Sequence, residues 1–336
     1  MVIGAIVIIG PVEEQAIPTV TKIGEQHVVV EGPLGCVEVM GRSVVERMIE
    51  RFLAAEVEVV SVLADARVAL TSFCRFSDKV TTLVVNDMGS ALSRTLRGYS
   101  DQGIGFAFVV HANAYTECDL IDWIWFHRGT HHAITRAWDA TGVLDFWVID
   151  CAKREEVDIW LLLKENTRFD GPSYFIKGYV NRLRAASDVR RLVTDVFQER
   201  CEMRPSGNEI RPGVWVEAGA QIHRRARIVA PAYVGRGTWV REDTLITRCS
   251  NVESSCCIDY GTVIEDSSIL TNSYVGIWLD VLHAVVNGNK LANVRRNVVL
   301  EIPDPSVIRE KLAVAKRAVR DFNAPERGRL RFASLD

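Results

Sequence analysis

The chain has 336 residues, 48% of them hydrophobic and 25% charged, which is enough for two ordinary domains, each with its own core. Forty basic residues against 43 acidic ones leave a formal charge of -3, so nothing in the balance calls for nucleic acid or an anionic membrane as a partner. None of the eight cysteines shows the two-residue spacing of a zinc or redox pair, and all of them, the adjacent Cys256 and Cys257 included, read as reduced thiols.

The first apolar stretch, 2–9, predicts a β-strand. It lacks the charged leader and small-residue cleavage site of a secretion signal, and no apolar run is long enough to span a bilayer, so a cytoplasmic protein is expected. A helix is predicted from Ser43. Ser43 and Glu46 have capping-box spacing, and Val44, Val45, Met48, Ile49 and Phe52 share one side. Strand-like runs follow at 57–63, 81–86 and 104–110, the last entered through a turn at Gly103 and Gly105. A second helix is expected after Asp119, then strands at 132–138 and 145–151. Such alternation argues for a mainly parallel sheet covered by helices. His127 and His131 have the i, i+4 spacing of some zinc helices, with His132, Trp123 and Trp125 nearby. Gly129 interrupts the pattern and no third ligand is evident, so packing is the expected role and no metal is assigned there.

A polar Pro-Ser-Gly-Asn link at 205–208 leads into a different rhythm. From Ile210, every sixth residue is a large aliphatic: Ile210, Val216, Ile222, Ile228, Val234, Val240, Ile246, Val252, Ile258, Ile264 and Leu270. The residue two places earlier is mostly small, as at Ala220, Ala226, Ala232, Thr238, Thr244, Ser250 and Thr262. A strict six fits neither a helix nor a simple strand. It predicts short strands joined by corners in a parallel β-helix, each coil buried only against its neighbours. If 18 residues make one turn, Trp215 and Tyr233 share an outer face, which predicts a buried contact there with the N-terminal domain or another subunit. Asn287-Gly288-Asn289 is a turn signal. Behind Pro305, residues Ile308, Leu312, Ala315, Val319 and Phe322 lie on one helical face. They predict a C-terminal helix that either closes the coil or packs on the other domain, followed by a basic tail at Arg327, Arg329 and Arg331.

The hexads look like the left-handed β-helix of hexapeptide-repeat transferases, and the handedness is taken from that resemblance. An α/β domain ahead of such a coil resembles the sugar-1-phosphate nucleotidyltransferases, or NDP-sugar pyrophosphorylases. Pro33-Leu34-Gly35-Cys36-Val37 followed by Gly41-Arg42-Ser43 is similar to the family's Lys-Pro-Leu-Leu-Pro segment and Gly-Lys-Pro turn. The stretch from Asn113 to Leu120, with Phe126-His127 beyond it, looks like the family's Gly-Asp strand end, linker and helix. Gly178-Tyr179-Val180-Asn181-Arg182-Leu183 resembles its late Gly-Tyr-Trp-x-Asp-Ile segment. The resemblance implies a Rossmann-like nucleotidyltransferase-like α/β domain over 1–205, a left-handed β-helix over 209–302, and a C-terminal helix and tail over 303–336. It also implies a place in nucleotide-sugar metabolism, with cell-surface polysaccharide synthesis as one outlet.

The family's reaction is attack of a sugar phosphate on the α-phosphorus of a nucleoside triphosphate. That chemistry needs a phosphate cradle, a cation and carboxylates for Mg²⁺. Where the glycine-rich loop should follow the first strand, this chain has Gly10-Pro11-Val12-Glu13-Glu14, a poor cradle. Gly32 stands in place of the lysine, Asn113 in place of the first metal-binding aspartate and Arg182 in place of the second. Gly10, Pro11, Gly32, Asn113, Asp119 and Arg182 are therefore the candidate lining of a degenerate pocket, with no catalytic residue and no metal ligand assigned. Three readings stay open. One is a non-catalytic member that binds a nucleotide or nucleotide sugar, regulates a partner enzyme or organises an assembly, with homo-oligomerisation expected. Another is an active, Mg²⁺-dependent nucleotidyltransferase using substitute carboxylates from Asp87, Glu117, Asp119 or Asp122. The third is a hexapeptide acyltransferase with His223 or His283 as general base.

Overall fold

Strand Ile3–Ile9 is apolar at every position because it is buried on both faces. Ile3, Ala5, Val7 and Ile9 point into one core, with α1 (Val44–Ala54) and Trp123 and Ile124 of the helix Leu120–Thr130. Ile6 and Ile8 point into the other, against Leu92, Leu96 and Tyr99 of α2 (Met88–Asp101). The Tyr99 hydroxyl reaches across the strand to Ala5 O and Ser61 Oγ, both at 2.8 Å, and the ring lies where any side chain at Gly4 would stand.

The computed structural model describes residues 2–10, 20–21, 29–31, 33–69, 78–164 and 168–310, with the backbone alone at 20–21, 29–31, 69 and 310. Two compact units emerge: Met1–Cys36 with Ser43–Arg184, and Val37–Arg42 with Ala185–Asp336. The division falls at Arg184, ahead of the link expected at 205–208, because helix Ala186–Phe197 joins the strands that follow it through Arg190.

The first unit is built on a parallel-rich seven-stranded sheet. Its order is Ser173–Phe175, Ile134–Asp139, Gly142–Asp150, Phe106–His111, Ile3–Ile9, Val59–Asp65, Val80–Val85. The expected strands appear, with the 145–151 run starting earlier, at Gly142. It forms an antiparallel hairpin with Ile134–Asp139 because Asp139 closes a tight turn by accepting from Thr141 N and Oγ1. The capping box of α1 is present in both directions: Ser43 Oγ accepts from Glu46 N, and Glu46 returns a carboxylate to Ser43 N. Asp119 caps the next predicted helix, α3 (Leu120–Thr130), by accepting from Ile121 N and Asp122 N. His127 points inward and meets Thr135, while His131 ends α3 in the left-handed region, so the pair shares no ligand geometry.

The second unit contains three mainly parallel sheets of two- to four-residue strands, an arrangement compatible with a β-helix. Val216, Val234 and Val252 stand in register, as do Ile222, Val240 and Ile258, and Ile228, Ile246 and Ile264. These columns form one continuous core. Both ends of the hexad run depart from expectation. Ile210 lies exposed on strand Asn208–Arg211, which caps the stack by pairing antiparallel with Val214–Val216. At the other end Ile269, not Leu270, pairs with Val252 and enters the column, so the step from Ile264 is five residues and later strands recur at 17. The expected helix from Ile308 begins instead as strand Ile308–Glu310, antiparallel to Ser273–Val275, with Ile308 filling a column position. An open aliphatic column offers Ile308 more burial than a helical stripe does. Leu312, Ala315, Val319, Phe322 and the basic tail lie outside the described residues.

Trp215 and Tyr233 do share an outer face. Tyr233 is fully buried, and the segment lying against it is Val37–Arg42 of the same unit. The Glu253 carboxylate accepts from Met40 N at 2.8 Å and Gly41 N at 2.9 Å, and Asn251 Nδ2 adds a third donor at 2.5 Å. Gly41 has φ +86°, and a Cβ there would come within 2.4 Å of both Glu217 Oε1 and the Tyr233 hydroxyl.

Candidate functional site

In an open α/β sheet, ligands bind outside the carboxyl ends of strands where the order reverses. Here Ile3–Ile9 has Val59–Asp65 on one side and the later Phe106–His111 on the other, so the reversal lies between the ends of the first and third of these strands. Gly10 and Asn113 follow those ends. Among the described residues nothing lies within 4 Å of a Cβ built on Gly10, whereas Gly35 presses its backbone onto Ala112, where a Cβ would lie 2.2 Å from the carbonyl oxygen. Pro11 and Gly32 lie outside the described residues.

The described candidates end up as follows. Asn113 donates its Nδ2 hydrogen to Asp145 Oδ2 at 3.1 Å and accepts from Leu183 N at its backbone oxygen. The other oxygen of Asp145 takes the guanidinium of Arg136 at 2.5 Å. Arg136 is fully buried. Its Nε donates to Leu144 O, its plane lies over the Trp147 ring, and burial pushes its pKa down. Arg182 makes a second ion pair, Nη2 to Asp139 Oδ1 at 2.7 Å, and donates also to Gly142 O and Val143 O. Burial works to raise the Asp139 carboxyl, but hydrogen bonds from Arg182 and Thr141 outweigh it and hold the pKa below the ordinary value. Asn113 and Arg182 are brought to the same hairpin, Ile134–Asp150. Asp119 is not, being spent on the α3 cap.

Two buried carboxylates, Asp139 and Asp145, therefore sit beside the degenerate positions, each neutralised by a guanidinium. This donor set does not fit the Mg²⁺ that the resemblance implies for an active enzyme, because a divalent cation there would stand against Arg182 and Arg136. Among the described residues no three His, Cys, Asp or Glu side chains converge as a metal site. The proposed substitutes are also committed elsewhere. Asp87 caps α2, Glu117 accepts from the Tyr115 hydroxyl, and Asp122 accepts from the Tyr174 hydroxyl.

Compared with known protein families and with curated proteins, the chain gives no match.

The second unit holds one further chemical grouping. His283 Nδ1 lies 2.5 Å from Asp266 Oδ2, and the other Asp266 oxygen accepts from Arg190 Nη2 at 2.8 Å. Burial alone would raise the Asp266 pKa, but the bonds from His283 and Arg190 bring it below the ordinary value. A carboxylate at Nδ1 draws the ring proton to that nitrogen and leaves Nε2 as the basic one. His223, the other candidate, has Glu242 4.0 Å from its Nε2, beyond hydrogen-bond reach, and that carboxylate is held by Arg225.

Sequence reading missed Arg136, Asp139, Asp145, Asp266 and Arg190. A signal existed for three of them. Arg136 and Asp145 are charges inside strand-patterned apolar runs, and Arg190 sits on the apolar side of its helix among Val189, Leu192 and Val193. A charge in such a place requires a partner. The partner's identity depends on hairpin and coil register, which only the fold supplies.

Proposed function

We propose that the chain is a nucleotidyltransferase-like protein of nucleotide-sugar metabolism, with a left-handed β-helix as its second unit, that has lost catalysis and acts by binding a nucleotide or nucleotide sugar in support of a partner enzyme or assembly. The observation that carries the reading is the pair of guanidinium–carboxylate contacts, Arg182–Asp139 and Arg136–Asp145. They fill with protein cations the place where the family's chemistry needs carboxylates turned toward a metal. The reversal of strand order between the ends of Ile3–Ile9 and Phe106–His111 supports retention of a binding surface. The seven described cysteines are free thiols, which suits a cytoplasmic protein.

The test is incubation with Mg²⁺, a panel of nucleoside triphosphates and several sugar 1-phosphates, with pyrophosphate release as the readout, alongside calorimetric titration with nucleotide sugars. The expected outcome is binding without turnover, and turnover abolished by Asn113→Ala would overturn the reading. The Asp266–His283 contact favours a second reading, acyl transfer with His283 Nε2 as general base. That reading predicts product from an acyl-CoA panel that disappears in His283→Ala, and no such product removes it.

A further inference from the structure

The strand Val80–Val85, Val-Thr-Thr-Leu-Val-Val, ends the seven-stranded sheet. It pairs with Val59–Asp65 without a break in register, and no other described strand pairs with it. An uncovered strand edge is a template for another chain, and proteins blunt such edges with charges, prolines or bulges. This strand carries none of the three. Leu83 is 43% exposed on the α2 face and Val84 63% exposed on the opposite face. Trp160, 64% exposed, stands beside Gly89 in the first turn of α2, on Leu83's side.

The hydrogen-bond phase of the strand is fixed. Val60 N donates to Lys79 O and Ala66 N to Val85 O, so residues 81, 83 and 85 turn their backbone groups toward the sheet. Val80, Thr82, Val84 and Asn86 turn theirs outward. In a two-fold antiparallel pairing within one continuous sheet, a residue on one face must oppose a residue on the same face, so the axis must pass through a residue. An axis at Leu83 satisfies every requirement at once. Thr82 opposes Val84 and Val80 opposes Asn86 as hydrogen-bonded pairs, Leu83 meets its own copy in a non-hydrogen-bonded pair, and Lys79, which also meets Glu58 of its own chain at 3.5 Å, falls opposite Asp87, the exposed cap of α2. The strand's nearest flanking charges thereby pair with opposite sign across the axis.

From this self-complementarity of backbone phase, apolar faces and end charges we infer that a second copy of this chain docks on the Val80–Val85 edge, continuing the sheet through a two-fold axis at Leu83. The inference is independent of what the first unit binds.

Sedimentation of the full chain over a range of concentrations tests it, and a monomer–dimer equilibrium is expected. Thr82→Pro removes an outward N–H that the sheet does not use, and Val84→Lys places a charge on the covered face. Each raises the dimer dissociation constant about tenfold or more while the circular dichroism spectrum is kept. Leu83→Cys yields a covalent dimer on mild oxidation, because Leu83 faces itself, and Thr81→Cys, facing Val85, does not. Lys79→Asp weakens the dimer, whereas Glu58→Gln, which removes only the Lys79 contact within one chain, does not. A chain that stays monomeric at every concentration, a dimer indifferent to Thr82→Pro and Val84→Lys, or equal cross-linking by Thr81→Cys overturns the inference.

Discussion

Two buried groups give the stability of this protein opposite pH dependences. Burial pushes the Glu253 carboxyl from 4.5 to about 8, against the pull of three N–H donors. Its contribution is therefore fully present below about pH 4.5 and lost as pH rises through about 8. His127 is pushed the other way, from 6.5 to about 4, again by burial. Its contribution is present above about pH 6.5 and lost as pH falls through about 4. Denaturant unfolding across pH separates them: Glu253→Gln flattens the alkaline-side loss and His127→Gln the acid-side loss, each leaving the other unchanged. At Gly41 the constraint is steric. Positive φ and the proximity of Glu217 and Tyr233 predict that Gly41→Ala lowers stability by about 1–3 kcal/mol, read from the urea midpoint.

Among the elements, burial separates hexad positions that look identical in the sequence. Ile246 lies in the middle of a column with no exposure, so Ile246→Ala is expected to cost about 2–5 kcal/mol. Ile210 belongs to the same six-residue series but lies exposed on the capping strand, and Ile210→Ala is expected to stay within about 0.5 kcal/mol by the same measurement. The periodicity made the columns legible because each coil repeats one geometric task. It could not show where the series stops, since an aliphatic residue fits the pattern whether or not a neighbouring coil exists to bury it. Ile308 departs from the expected helix for a related reason. A 3.6-residue apolar stripe describes what a segment could bury, and at Ile308 a vacant column position decided what it did bury.

For the whole molecule, two units, a parallel-rich sheet followed by stacked short strands, were legible from alternation and repeat. The candidate site was legible only by subtraction. Asn113 and Arg182 could be recognised as unsuited to a metal, but the carboxylates they touch come from a hairpin whose antiparallel register is set by a turn at Asp139 and a shift between Arg136 and Trp138. Likewise Asp266 and His283 are 17 residues apart, and nothing local announces that one coil places them side by side.

The five-residue step from Ile264 to Ile269, repeated from Val281 to Val286, behaves like a dislocation in a lattice that is regular before it. Coils on either side of it are stacked on different pitches, 18 residues before and 17 after, so a coil taken from one side cannot be transplanted to the other without shifting everything downstream. Inserting a single residue between Glu265 and Ser268 would restore the six-residue count at this step and leave the second short step, Val281 to Val286, in place. Placed ahead of Asp266, the added residue would displace that carboxylate from His283 and Arg190; placed after it, the junction would stay in register.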